Sequence, residues 1–369
     1  MLPSTDVFVI GGGPAGLAAA IAARLAGFSV TVADGVKPPI DKACGEALMP
    51  KAVKALEQLG VGVPLADSFP VRGTRFYSGR LSAEAVFPSG LRSISVRRTV
   101  LHQLLIERAV ELNIGLIWQT VVTGISKDAV QIGDTSIPTH WIIGADGSNS
   151  RVRQWAKLKS VAASGLRYSF RRHYQVRPWT DRLEVYWGSC SQAYVTAVND
   201  HEVCVAVASH NPRFRLRECL SQFPELNSRL RGAEPTSLER GAISANRRLQ
   251  HVCRENIALV GDASGTVDAI TGEGLGLAFN QALVLARCMK AETLVNYESE
   301  HRRLAFRPLL MARMMRSLDG RLWLQRRTLQ VLKRRPEIFE RLLAFHVGAL
   351  SPAAFAVEGL NLGWGLLTA

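Results

Sequence analysis

The chain has 369 residues, 47% of them apolar, and a formal net charge of +14. That length can carry two domains on a shared core, while six scattered cysteines with no C-x-x-C pair exclude a disulfide framework and a cysteine zinc site. The opening MLPSTDVFVIGGG lacks the basic n-region and cleavage site of a secretory leader, so a reducing, cytoplasmic setting is expected, with no resident metal.

The predicted elements begin with a buried strand over 6–10 (DVFVI). A glycine turn and a helix over 15–26 follow, then a second strand over 28–34 that ends in an acid, Asp34. This is the opening βαβ unit of a doubly wound fold. A loop, 35–50, leads to a short helix closed by Gly60. Short strands fall in 65–95, and a helix with apolar residues at three- and four-residue spacing spans 97–113. Residues 114–132 read as a small β-meander, and HWIIGADG returns to the parallel sheet. From 166 to 209 the apolar period falls to two, which predicts an antiparallel sheet. A helix broken at Pro224 spans 213–232, and IALVGDA returns to the first domain. Helices are expected over 273–290 and through much of 293–345. The glycine-rich apolar tail, 346–369, is expected as a cap or docking segment rather than a membrane span.

The expected fold is therefore α/β. A discontinuous Rossmann-like domain (1–70, 96–155 and 251–295) carries an inserted antiparallel substrate domain (71–95 and 156–250) and a C-terminal helical region (296–369).

Three separated segments carry chemistry. In the first, Gly11, Gly13 and Gly16 fit G-x-G-x-x-G, with Pro14 and Ala15 opening the helix. Gly11 allows the tight turn, Gly13 close approach to a pyrophosphate, and Gly16 close helix–strand packing. Asp34 is placed to accept ribose hydroxyls, and its charge disfavours a 2′-phosphate there. In the second, GADGSNSRVR, Asp146 follows a buried strand, with Arg151 or Arg153 to fix the loop. In the third, GDASGTVDAITGEGLG, Gly261 and Asp262 follow a strand, and Asp262 is a candidate for a ribityl hydroxyl. Gly272, Gly274, Leu275 and Gly276 then open a helix whose free N–H groups suit a flavin pyrimidine edge. Arg98, at the start of the 97–113 helix, is a candidate phosphate partner, with Arg97 as its rival in register. Together the three segments predict FAD.

These segments resemble the FAD-dependent oxidoreductases that include geranylgeranyl reductases and aromatic-ring hydroxylases, over most of 5–295. The loop DKACGEALMP resembles the reductase and dehydrogenase branch, where a Cys-Gly pair lies near the isoalloxazine ring. The resemblance thus points to Cys44 and Gly45 at the reacting centre. Many aromatic hydroxylases have an arginine in this loop, and this chain has none. Glu46 and Glu273 are candidate proton relays, Glu273 alternatively a helix cap. Tyr186 and Tyr194, on predicted strands, are candidates to line an aromatic or polyene pocket, with core packing as the alternative. His173 and His201 are expected to be surface or structural residues.

The leading expectation is a reductase or dehydrogenase that transfers hydride between flavin N5 and an apolar unsaturated small molecule. NAD(P)H, acting transiently, or an electron-donor protein would reload the flavin. The rival is a single-component monooxygenase using NAD(P)H and O2 on an aromatic substrate. A third reading is an electron-transfer flavoprotein docked at a membrane or partner. It rests on the basic run in 302–341, which includes Arg302, Arg313, Arg326 and Arg335 and suits an anionic membrane surface or a solvated face. No nucleic-acid module is visible, so nucleic acid is not an expected partner.

Overall fold

A computed structural model describes residues 4–357 and 359. The strand Thr5–Ile10 is a continuous apolar run, and Val7, Phe8 and Val9 are fully buried. A strand with helices on both faces reads this way, without alternation. Pro14 then starts the helix Pro14–Leu25 at the position where its missing N–H costs nothing. The alanines of that helix let it pack closely between the sheet and the helix Gly274–Lys290.

The first sheet runs Cys253–Arg254, Ile257–Leu259, Thr135–Gly144, Thr5–Ile10, Val30–Asp34, Gly115–Trp118. Its pairs are parallel except the outermost, Cys253–Arg254 with Ile257–Leu259. The strand Gly115–Trp118 belongs to this sheet, which corrects the reading of 114–132 as a meander throughout. Only Gly124–Ile125, Ala129–Ile132 and the first half of Thr135–Gly144 pair antiparallel. The carboxyl ends of the parallel strands bring Gly11, Asp34, Ala145 and Gly261 to one edge, where such sheets bind ligands.

The second sheet is built around Ser160–Gln175, Glu202–Ser209, Ser191–Asn199 and Arg182–Trp187, in that spatial order. Arg240–Leu249 pairs the outer side of the first of these strands. The hairpin Gly73–Ser78 and Leu81–Val86 extends the other edge. One join departs from the antiparallel expectation: Arg182–Trp187 runs parallel to Gly73–Ser78. These two strands are separated by a long excursion through the first domain, so no tight turn forces them to reverse. A small third sheet, Ala47–Leu48, Ile94–Val96 and Ser68–Pro70, lies between the two domains.

The broken helix is two short ones, Leu216–Leu220 and Pro224–Arg229, packed on one face of the second sheet. The helices Leu294–Leu318, Leu322–Arg334 and Pro336–Val347 pack on the other face. Arg307 fastens this layer by donating Nη1 hydrogen bonds to the carbonyls of Phe345 (3.1 Å) and Leu350 (2.6 Å). Of the apolar tail, 358 and 360–369 lie outside the described residues.

Candidate active site

One continuous cavity of about 840 Å³ runs from the glycine turn to the C-terminal helices. At its first end, the backbone of Gly11 has φ +110°, and a Cβ on Gly16 would stand 1.8 Å from the Gly11 carbonyl. Only glycine fits this crossing of helix and turn. Gly13 differs, since a Cβ there would meet nothing within 4 Å. The N-terminus of the helix Pro14–Leu25 has no side-chain cap, so its N–H groups remain available to an anion. His102 holds the turn from behind. Its Nδ1 accepts from the Ile40 N–H at 3.3 Å, so its Nε2 donates to the Gly12 carbonyl at 2.8 Å. Burial pushes the imidazole below its ordinary pKa and keeps this neutral form.

Asp34 accepts from the backbone N–H of Gly12 (2.7 Å) and Val36 (2.8 Å) and lines the cavity. Each oxygen keeps a further lone pair for a ribose hydroxyl. Arg98 also lines the cavity, and its Nε is buried without a partner. Arg97 is engaged elsewhere, clamping Glu202 of the second sheet, so Arg98 is the one in register with the cavity. Asp146 accepts from the N–H groups of Arg151 and Val152 through Oδ2, while its buried Oδ1 has no partner. Arg153 braces this loop by donating to the carbonyls of Ser148 and Ala263. Asp262 pairs with Lys42 at 2.9 Å, a partner that sequence reasoning missed.

Gly11, Gly13, Pro14, Ala15, Gly261, Gly272, Gly274 and Leu275 also line this cavity. Gly16 and Gly276 do not; a Cβ on Gly276 would press on Ala52 at 3.3 Å. Behind Gly261, Gln281 accepts the Gly261 N–H at 2.8 Å and donates to His301 at 2.9 Å. His301 also contacts Ser264 at 2.9 Å, and burial lowers its pKa to about 4. Glu273 sits at the start of the helix Gly274–Lys290 without making a capping bond. Its carboxyl, pushed upward by burial, lies 3.5 Å from His346 Nε2.

Cys44, Gly45 and Glu46 line the middle of the cavity. Glu46 has φ +62°, a conformation L residues avoid, and surrounding bonds hold it there. Its Oε1 accepts from the Arg98 N–H at 3.0 Å, and its Oε2 lies 2.6 Å from His173 Nε2. Its own N–H reaches Cys44 Sγ at 3.3 Å. His173 is buried, which corrects its expected surface placement in favour of the structural alternative. Arg171, also buried, bonds Asp41 and approaches His173 Nδ1 at 3.2 Å. Because Arg171 only donates, Nδ1 accepts and Nε2 carries the proton shared with Glu46. Glu46, His173 and Cys204 are near enough together to ligate an ion, but the Arg171 guanidinium already supplies the positive charge.

The far end of the cavity is apolar. Leu183, Val185, Trp187, Tyr194, Ala206 and Ala208 form its floor. Met311, Met314, Met315, Leu318, Leu332, Phe339 and Leu343 form its roof. Tyr194 therefore reaches the cavity, with its hydroxyl donating to Gln192 Oε1 at 2.7 Å. Tyr186 does not, and its candidacy is corrected. It points to the opposite face, stacked on Tyr77 and donating to Glu184 at 2.8 Å. The roof was missed from sequence, where these helices read as a basic surface. The signal lay in the Met, Leu and Phe residues repeating between the arginines.

The observed cradle fits FAD. It combines open space at Gly13, an uncapped helix terminus, and two buried polar atoms, Arg98 Nε and Asp146 Oδ1, that lack partners. A doubly wound sheet with this cradle and an apolar chamber beside it defines an FAD-dependent oxidoreductase. The chain belongs to the FAD binding domain family, which matches residues 4–294.

It is 28% identical over 320 residues to a menaquinone reductase of Mycobacterium tuberculosis, covering 79% of this chain and 78% of that one. It is 26% identical over 314 residues to a digeranylgeranylglycerophospholipid reductase of Thermoplasma acidophilum, covering 77% and 78%. A flavoprotein/dehydrogenase structure from Cytophaga hutchinsonii superposes with a TM-score of 0.79 at 19% identity, covering 94% and 93%. The last is a likeness of fold alone.

Proposed function

We propose that this FAD-dependent oxidoreductase reduces, or in reverse dehydrogenates, a carbon–carbon double bond in a long apolar molecule of isoprenoid type. The carrying observation is the far chamber, whose floor and roof are almost wholly aliphatic, aromatic and thioether. Such a wall binds by burial of apolar surface and offers few hydrogen bonds for a polar aromatic acid. The menaquinone and digeranylgeranylglycerophospholipid named for the two relatives both carry isoprenoid chains. Methionines suit a flexible chain because their unbranched thioethers adapt to irregular shapes.

When bound, FAD supplies the two-electron chemistry. The chain's own residues do the rest. The helix terminus at Pro14, together with Arg98, holds the phosphates. Asp34 takes the adenosine ribose, and Lys42 and Asp262 flank the ribityl side. Cys44, Gly45 and Glu46 stand between the cradle and the chamber. Glu46, bonded to His173, can hold or release a proton at Oε2, facing the need of a reduced carbon for one. The apolar walls exclude water.

NAD(P)H or a donor protein reloads the flavin. The carboxylate of Asp34 opposes a 2′-phosphate at the adenosine site, so a nicotinamide donor acts by transient approach. Anaerobic addition of NADPH, NADH and dithionite in turn, followed by flavin absorbance, distinguishes these donors. Bleaching by a nicotinamide supports direct reduction, and bleaching by dithionite alone supports a protein donor. The monooxygenase reading predicts substrate-dependent oxygen uptake with an oxygen atom in the product; the reductase reading predicts neither.

A further inference from the structure

We propose that an anionic lipid bilayer docks on one face of this protein, on a patch formed by Leu166, Ile243, Leu322 and Trp323, where a lipid-soluble substrate enters the chamber. The inference rests on the apolar-substrate reading above, and extends it to a partner. These four side chains are 48%, 61%, 39% and 67% exposed, unusual for large apolar residues.

They are drawn together by one polar hinge. Asp319, in the turn between the helices Leu294–Leu318 and Leu322–Arg334, accepts from Arg167 at 2.7 Å. His210 lies 2.8 Å from Asp319 and 2.9 Å from the Leu166 carbonyl. In the adjoining strand pair, Arg167 opposes Ser244 and Tyr168 opposes Ile243. The helix turn bearing Leu322 and Trp323 is thus fixed beside the strands bearing Leu166 and Ile243. Ile243 also lines the cavity, so the patch is continuous with a cavity wall that is open to solvent.

The charge around the patch selects the occupant. Residues 302–341 hold twelve basic against three acidic residues. Arg313, Arg321 and Arg326 are exposed on the same turn and helices, and Arg316 Nη1 lies beside Gly165. A tryptophan flanked by arginines suits the boundary of an anionic bilayer, where the indole partitions among headgroups and the cations meet lipid phosphates. Among the described residues no helix is long and apolar enough to cross a membrane, so contact through these residues is peripheral.

The test is co-sedimentation of the FAD-loaded full chain with vesicles of phosphatidylcholine alone and of phosphatidylcholine with phosphatidylglycerol. Binding is expected to the anionic vesicles and to weaken with added salt. Leu166→Ser with Trp323→Ser is expected to weaken it by about tenfold or more, as loss of two inserted apolar groups requires. Flavin content and melting temperature of that variant monitor its fold, and Arg313→Glu with Arg326→Glu provides a second variant that leaves the apolar residues in place. Equal binding to both vesicle types, no binding, or unaltered binding by both variants overturns the proposal. So does a wild-type dimer that becomes monomeric in the serine variant, which would make the patch an interface between copies. Vesicle binding needs no turnover, so a protein that binds vesicles but reduces no isoprenoid would overturn the substrate reading and leave the docking surface standing.

Discussion

Glu46 Oε2 lies 2.6 Å from His173 Nε2, and the pair ties the loop beside the flavin cradle to the second sheet. The two side chains are 1% and 2% exposed, so neither charge nor hydrogen bond is screened by water. Replacing His173 with alanine strands the Glu46 carboxylate in the interior, and should destabilise the protein by about 3 kcal/mol. His173→Ala with Glu46→Gln removes the stranded charge, so it should be more stable than His173→Ala alone. Urea unfolding of the wild type, both single variants and the double variant measures this coupling.

The glycine turn makes two different demands. Gly16→Ala drives a Cβ into the Gly11 backbone, so both melting temperature and flavin content should fall. Gly13→Ala meets no protein atom and should leave the melting temperature of the flavin-free chain near wild type. Its methyl group instead occupies space assigned to the pyrophosphate, so FAD affinity should drop by about tenfold or more. Thermal melts of the flavin-free chains and FAD titrations read the two effects separately.

Arg98 and Arg97 are adjacent in sequence but face different partners. Arg98→Ala should weaken FAD binding by about 1.5–3 kcal/mol, the value of a charge-assisted hydrogen bond. Arg97→Ala breaks the clamp on Glu202 and should cost stability with a smaller effect on FAD affinity. Equal losses of affinity from both would contradict the assigned register.

His301 introduces a pH dependence behind the cradle. Burial holds its folded pKa at about 4, below the ordinary imidazole value, so the unfolded chain binds the proton more readily. Its stabilising contribution is complete above about pH 6.5 and is lost as pH falls towards 4, an effect on the order of 1–3 kcal/mol. Protonation also ends the donation from Gln281, which holds the Gly261 N–H. FAD affinity should therefore decline over the same acid range, and His301→Gln should flatten that part of the profile. Flavin fluorescence and denaturation at stepped pH check both.

The nucleotide half was legible in the sequence because its constraints are local. Gly11, Gly16 and Asp34 are set by one turn, one helix crossing and one strand end, all within a single βαβ unit. The chamber was less legible because its constraints are tertiary. Tyr186 and Tyr194 both sit on alternating strands, but only register decides their faces. Val185 opposes Tyr194 while Tyr186 opposes Ala193, which turns the two tyrosines to opposite sides. His173 meets Glu46 across a long sequence separation, with no motif joining them. The roof helices were visible as helices, but their apolar stripes gave no sign of which surface they would cover.

The central claim is tested most directly by single turnover without oxygen. FAD-loaded protein, reduced by dithionite, is mixed with a long-chain isoprenoid quinone or an unsaturated isoprenoid lipid, and flavin absorbance and product mass are followed together. The account predicts flavin reoxidation matched by a product carrying two added hydrogens across one carbon–carbon double bond. A flavin that stays reduced with every isoprenoid, but reoxidises with oxygen while hydroxylating an aromatic compound, would contradict it.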